Sequence, residues 1–270
     1  MVAQWLHWEP PLSLSIQALK ESLAARFLLA LCLCQVAFTV QGQVFDVPHQ
    51  QDSPTRTLFV GVQNPKALVL LFPGGGGLLH LKDDGSTRNR HTFVRSTDQW
   101  AQYQIDAVLV DTPYDLGDLK RGDRRNQEDH LKRVGEVVDF YKLKTGLPIW
   151  IFGHSMGTST ATYFVNQLNE DSKKLTGIII AGTVRTASLN DKVSLPVEAI
   201  HHQQDQCSGT PPSASKDIIS GRPKNYISQL EIVEGGITEG NVCDSFGYHG
   251  FNQTEPELIK RAAQFILNQK

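Results

Sequence analysis

Short runs rich in apolar residues, of which "ALVLLF" is continuously apolar, alternate along the chain with longer segments whose apolar residues recur every three or four positions. "ALVLLF" (67–72), "DAVLVDTP" (106–113), "PIWIFGHS" (148–155), "LTGIIIAGT" (175–183), "PVEAIHHQQD" (196–205) and "SQLEIVEGG" (228–236) are runs of the first kind. Their brevity, their β-branched content and the Gly or Pro beside them mark them as strands. Unbroken apolarity is what a strand covered on both faces needs. Ahead of them, "VFDVP" and "TRTLFVGV", separated by "HQQDSP", read as a hairpin-like pair. Leu131, Val134, Val138 and Tyr141 recur at helical spacing in a segment near Asn126 to Tyr141. "MGTSTATYFVNQL" (156–168) reads as a further helix. "PELIKRAAQFILNQ" (256–269) closes the chain, with Leu258, Ile259, Ala262, Phe265 and Ile266 on one face.

Strands in alternation with helices predict a single α/β domain with a mostly parallel sheet and helices on both faces. No linker, repeat or low-complexity tract interrupts the pattern. The stretches with least periodicity, "HLKDDGSTRNRH" (80–91) and "YDLGDLKRGDRRNQED" (114–129), follow the C-terminal ends of strands. Open α/β sheets bind their ligands at that edge.

Composition narrows the picture. The chain has 270 residues and a formal net charge of -2, without the basic excess of a nucleic-acid-binding surface. The "KRGDRR" run (120–125) is a local exception that reads as a solvated loop. Near the start, Lys20 and Arg26 precede an apolar stretch from Phe27 to Val40, with small and polar residues after it. Residues 1–42, long for such a segment as if the start were placed too early, are therefore expected to be an export leader, and 43–270 the folded domain. The apolar stretch is short for a membrane span, which takes roughly 20 residues. A periplasmic or secreted location follows, with no stable membrane span once the leader is removed. Of the four cysteines, Cys32 and Cys34 lie in the leader. Cys207 and Cys243 remain, an even number suited to one disulfide in an oxidising compartment. Two free thiols are the alternative.

The candidate chemistry centres on "GHSMG" (153–157), behind an apolar run and ahead of a helix-like segment. A Gly-x-Ser-x-Gly match alone is a weak signal. Strand, sharp turn and helix around it make it a candidate nucleophile elbow, with Ser155 exposed at the turn. A serine hydroxyl needs a base to take its proton, and the base needs a carboxylate to fix its tautomer. Asp205, at the end of "VEAIHHQQD", is the favoured acid; Asp191 and Asp244 are its rivals. His249, in "GYHGF", is the favoured base, because a loop before the final helix can carry it over the sheet edge. His201 and His202 sit within a strand run, and His154 is the variable residue of the elbow. Attack on a carbonyl also needs donors for the developing oxyanion. The glycines of "FPGGGG" (72–77) and the residue after the serine make Gly75, Gly76 and Met156 the candidate N–H donors. No Gly-Lys-Ser/Thr follows those glycines, so a phosphate loop is excluded. No metal or organic cofactor is implied.

From about Ala67 to Phe265 the chain resembles a compact α/β-hydrolase and is similar to a group of small exported bacterial hydrolases. The likeness is carried by "LLFPGGGGLL", "FVRSTDQWA", "VLVDTPYD", "IFGHSMGT", "HHQQDQC" and "CDSFGYHGF". In that group the elbow, the acid strand with its following cysteine, and the Cys-to-His-Gly-Phe loop recur together. The resemblance implies Ser155 as nucleophile, Asp205 as acid and His249 as base. Pro73 departs from the wider pattern, where many members carry the His of a His-Gly oxyanion motif. Asp111, Asp115, Arg95, Arg124 and Arg125 are pocket-rim candidates by their loop positions.

These readings predict a serine hydrolase that cleaves a small ester, less readily an amide, through an acyl-enzyme. The oligomeric state is left open. A catalytically silent α/β-hydrolase fold acting as a binding protein is the alternative from another class.

Overall fold

The computed structural model describes residues 42–50, 53–113, 116, 122–168 and 174–269. Apart from Gly42, the expected leader lies outside the described residues, as does Asp115. Eight strands form one sheet: β1 (Gln43–Val47), β2 (Thr55–Val60), β3 (Ala67–Phe72), β4 (Ile105–Val110), β5 (Ile149–His154), β6 (Gly177–Ala181), β7 (Val197–His202) and β8 (Ser228–Val233). Their spatial order is β1-β2-β4-β3-β5-β6-β7-β8. β1 pairs antiparallel with β2, and β2 with β4; every other pairing is parallel. The α-helices among the described residues are α1 (Thr92–Ser96), α2 (Glu128–Thr145), α3 (Met156–Gln167), α4 (Pro212–Gly221) and α5 (Glu255–Asn268).

Side chains alternate across the sheet, so one strand feeds two cores. From β3, Leu68, Leu70 and Phe72 pack with Leu131, Val134, Val138 and Tyr141 of α2 and Phe164 of α3. Ala67, Val69 and Leu71 face the other way, toward Phe93, Trp100 and the α5 residues Ile259, Ala262 and Phe265. The six residues of β3 are all buried, as are those of β4, β5 and β7. That accounts for the continuous apolarity of β3, whereas β4 and β7 also bury Asp106, Glu198, His201 and His202. Burying one Leu, Ile, Val or Phe side chain stabilises the fold by roughly 1.5–3 kcal/mol. α2 is bounded by charge as well as by packing: Glu128 and Asp129 open it, and Lys142 and Lys144 lie in its last turn. Both pairs complement the helix dipole. Gly146 ends it in the left-handed region (φ 68°), its N–H bonded to the Lys142 carbonyl.

Three details differ from the sequence reading. α2 begins two residues later than expected and runs on to Thr145. β7 ends at His202, so Asp205 stands in the turn beyond the strand and not at its end. α1 with its following 3-10 turn (Thr97–Tyr103), and α4, had no clear periodic signal. α1 is only five residues long, and α4 buries just Ser215 and Ile218.

Candidate active site

Ser155 stands between the last residue of β5 and the first of α3, at a positive φ of 52° with ψ -125°. A non-glycine residue there is strained unless its surroundings fix it. Its main-chain N–H is bonded to the Ala181 carbonyl at 2.9 Å, which locks the turn onto β6. The two flanking glycines answer a requirement of space. A Cβ on Gly153 would lie 2.3 Å from the Gly157 carbonyl oxygen, and one on Gly157 would lie 2.0 Å from that of Phe72.

His249 Nδ1 lies 2.8 Å from Asp205 Oδ2, although 44 positions separate the two in sequence. Asp205 is held on four sides. It accepts from the Cys207 N–H at 2.8 Å and the Thr210 hydroxyl at 3.2 Å, and His201 Nε2 stands 3.3 Å away. Burial pushes its carboxyl up, but the bonds from His201, His249 and the Cys207 N–H outweigh burial and hold it below the usual aspartate range. It is a buried anion. With Nδ1 donating to Asp205, His249 carries its lone pair on Nε2. Its carbonyl is held too, because His154 Nε2 donates to it at 2.9 Å. His154 then accepts at Nδ1 from His91 Nε2, 3.1 Å away. The Gly74 N–H also lies 2.9 Å from His91 Nε2. A neutral ring cannot donate to His154 and accept from Gly74 through one nitrogen, so these two contacts compete. Burial keeps His91 and His154 neutral: it pushes His154 down to about 3 and His91 well below its ordinary value.

Ser155 and His249 line one cavity of about 560 Å³, with Pro73 to Leu79, Asn89, His91, His154, Cys243, Asp244 and Ser245. No hydrogen bond joins Ser155 to His249 among the described residues. Gly74 and Ser155 are in close approach, for a Cβ on Gly74 would lie 2.8 Å from that of Ser155. Gly75 and Gly76 are on the same wall. The Met156 N–H has no acceptor within its helix, because Met156 is the first helical residue.

Two arginines brace the loops around this cavity. Arg125 is 1% exposed, so it is no rim residue. It lies beneath the glycine loop and donates to the carbonyls of Gly75 (2.6 Å) and Pro73 (3.3 Å) and to Thr160 Oγ1 of α3 (2.9 Å). Because a trans peptide sets N–H opposite C=O, anchoring the Gly75 carbonyl turns the Gly76 N–H away from Arg125. Arg95 performs a similar service for the loop before His249. It donates to the Ser245 carbonyl at 2.9 Å and pairs with Glu255, while its guanidinium lies 4.6 Å from the Phe246 ring centre. Asp111 is also buried and accepts from the N–H groups of Leu79 (2.6 Å) and Leu81 (2.9 Å). All three are loop braces, which loop position alone could not reveal.

Cys207 and Cys243 are disulfide-bonded, their Cα atoms 4.7 Å apart. The bond ties the turn that carries Asp205 to the loop that carries His249. It closes 36 residues of chain, worth roughly 3–4 kcal/mol of stability in the loop-entropy account. The rivals stand elsewhere. Asp191 is exposed. Asp244 is exposed on the cavity wall, with no bond to His249. His202 stacks on Tyr248 and bonds the Gly235 carbonyl. The sequence reading missed Thr210 and the second histidine on Asp205; the His201-to-Asp205 spacing, one turn beyond a strand, was the available signal.

No family model matches the chain, and no curated protein matches it. Solved structures do. A carboxyl esterase from Bacillus coagulans superposes with a TM-score of 0.59 at 13% identity, covering 86% of this chain and 99% of that one. A dienelactone hydrolase from Anabaena variabilis gives 0.58 at 13% identity, covering 85% and 99%. An α/β serine hydrolase without lid from Xanthomonas campestris gives 0.57 at 12% identity, covering 85% and 95%. At such identities the likeness concerns the fold. The chain has the α/β-hydrolase fold, with a mostly parallel eight-stranded sheet in a single domain.

Proposed function

We propose that the protein is a serine-dependent hydrolase of small carboxylic esters, with amides as poorer substrates. The observation that carries the reading is the strained turn at Ser155 sharing a cavity with a histidine whose Nδ1 is bonded to a buried aspartate. Ser155 Oγ attacks the acyl carbonyl while His249 Nε2 takes its proton. Asp205 holds the ring in the required tautomer and stabilises the imidazolium. The tetrahedral oxyanion is met by the Met156 N–H and by an N–H of the Gly75–Gly76 wall. As the intermediate collapses, His249 gives the proton to the departing alcohol. Water, deprotonated by His249, then attacks the acyl-serine, and as that intermediate collapses His249 returns the proton to Ser155 Oγ and the carboxylic acid is freed. Every step uses this chain's own groups. The structural likeness to an esterase and a dienelactone hydrolase agrees with this class of chemistry. Export is part of the same proposal, since a disulfide suits an oxidising compartment.

The test is intact-mass labelling of the folded, oxidised protein with a fluorophosphonate. A single adduct is expected on the wild type, absent in Ser155→Ala and much slower to form in His249→Ala. A folded wild type that takes up no adduct would favour the alternative, a silent binding protein.

A further inference from the structure

The cavity described above is one of two that meet at Ser155. The second, about 390 Å³, is lined by Ser155, Met156, Val184, Arg185, Thr186, Cys207, Gly209 and Thr210. His249 lines the first and not the second. This asymmetry assigns the two halves of a substrate. The leaving alcohol must receive its proton from His249, so it belongs in the lobe that His249 lines. The acyl group stays on Ser155 and occupies the other.

Resting on the serine-hydrolase reading, we infer that Arg185 selects acyl chains that end in a carboxylate, making hemiesters of short dicarboxylic acids the preferred substrates. Met156, Val184 and Cys207 supply apolar wall, enough for the methylene part of a short chain. Arg185 is the charged residue of this lobe. Its main-chain N–H is bonded to the Gly209 carbonyl at 3.1 Å and its Nε to the Ser208 carbonyl at 2.8 Å. Both bonds run to the loop that follows Asp205, so the side chain is tethered over the lobe. Its two Nη groups have no partner among the described residues, which leaves a planar fork suited to a carboxylate. The first lobe carries the opposite sign: Asp244 stands on its wall and would repel an anionic leaving group. The charge distribution thus places the anion on the acid half of the ester.

Monoethyl adipate and ethyl hexanoate share acyl length and leaving group and differ in the terminal carboxylate, so their hydrolysis in a pH-stat isolates its effect. The wild type is expected to favour the hemiester about tenfold in kcat/KM, mostly through KM, with the preference shrinking as salt is raised. Arg185→Gln should abolish the preference, Arg185→Lys should keep part of it, and Arg185→Glu should reverse it. Fluorophosphonate adduct formation reports whether each variant is folded and holds an active serine. If both esters turn over at the same ratio in wild type, Arg185→Gln and Arg185→Glu, the acyl selection is wrong and the hydrolase reading stands. An adduct without turnover of either ester also overturns only the selection. Neither adduct nor turnover overturns both.

Discussion

Glu198, in the middle of β7, and Asp205, just past the end of that strand, are both buried carboxyls, 0% and 8% exposed. Asp205 is surrounded by donors from His249, His201, Thr210 and the Cys207 N–H. Glu198 has none among the described residues: both of its side-chain oxygens lack a hydrogen-bond partner there. Burial pushes Glu198 up to about 9, and the negative charge of Glu231 adds to it, while the bonds on Asp205 hold that group down. One carboxyl is a proton-bearing neutral group at pH 7 and the other an anion. The difference lies in position along the strand. Beyond its end, loops can curl back and bring donors; in mid-strand, the backbone N–H groups are spent on the ladder and only a covering side chain could help. A buried charge at a strand end can therefore be maintained and used, whereas one in mid-strand only costs stability.

On the proposed mechanism, Asp205→Asn should lower kcat by roughly 10³–10⁴-fold, because the ring loses its fixed tautomer while the elbow is untouched. Steady-state hydrolysis of a p-nitrophenyl ester, with the oxyanion wall and binding lobes intact, measures this directly. Replacing Arg125 by Met should remove the clamp on the Gly75 carbonyl and lower kcat by about 10–100-fold with little change in KM, a pattern that distinguishes a misplaced oxyanion donor from weaker substrate binding.

Stability sharpens the contrast further. Reducing the Cys207–Cys243 bond should cost about 2–4 kcal/mol, seen as a fall in Tm of roughly 5–15 °C, and should slow turnover by loosening the Asp205 and His249 loops. Acid should act through the histidines. His91, His154 and His130, which is buried on α2 with Nε2 2.9 Å from Thr160 Oγ1, are kept neutral by burial, His130 and His154 being pushed down to about 3. Below about pH 6.5 the unfolded chain binds protons that the folded chain refuses. Their contribution is complete above that pH and drains away as pH falls toward 3, and Asp205 adds to the loss below its ordinary value near 3.8. Urea midpoints between pH 7 and 4 should decline steadily. Glu198 acts in the opposite direction, since its carboxyl ionises above about 4.5 when unfolded and only near 9 when folded. Its cost grows as pH rises through that window. Glu198→Met should therefore raise stability by about 1–3 kcal/mol, more at pH 9 than at pH 5.

Much of the frame was legible from local pattern. β3 and β6 announced themselves because they are apolar throughout, as a strand buried on both faces favours, β4, β5 and β7 because short apolar runs in them outweigh a few buried polar residues, and α5 because its apolar face is regular. The sharp turn at Ser155 was legible because steric demand at Gly153 and Gly157 leaves a mark in sequence. Asp205 and His249 could be named from chain order and turn context, and in the structure they lie within hydrogen-bond distance. What could not be read was the burial of polar groups. Arg125, Arg95 and Asp111 look like surface residues in any window of sequence, yet each is defined by carbonyls or N–H groups brought from distant segments. Arg125 and the Gly75 carbonyl it holds are 50 positions apart, and Arg95 and the Ser245 carbonyl are 150 apart. The His91–His154–His249 chain is hidden for the same reason: its contacts span 63 and 95 positions.

The most direct test of the central claim is the rate of fluorophosphonate labelling at pH 7.5 in three proteins: wild type, Asp205→Asn and Glu198→Met. The account predicts that Glu198→Met labels at the wild-type rate and Asp205→Asn at least a hundredfold more slowly, with all three folded. Equal rates in the wild type and Asp205→Asn would contradict it, for the partnered carboxylate would then be no more than another buried acid.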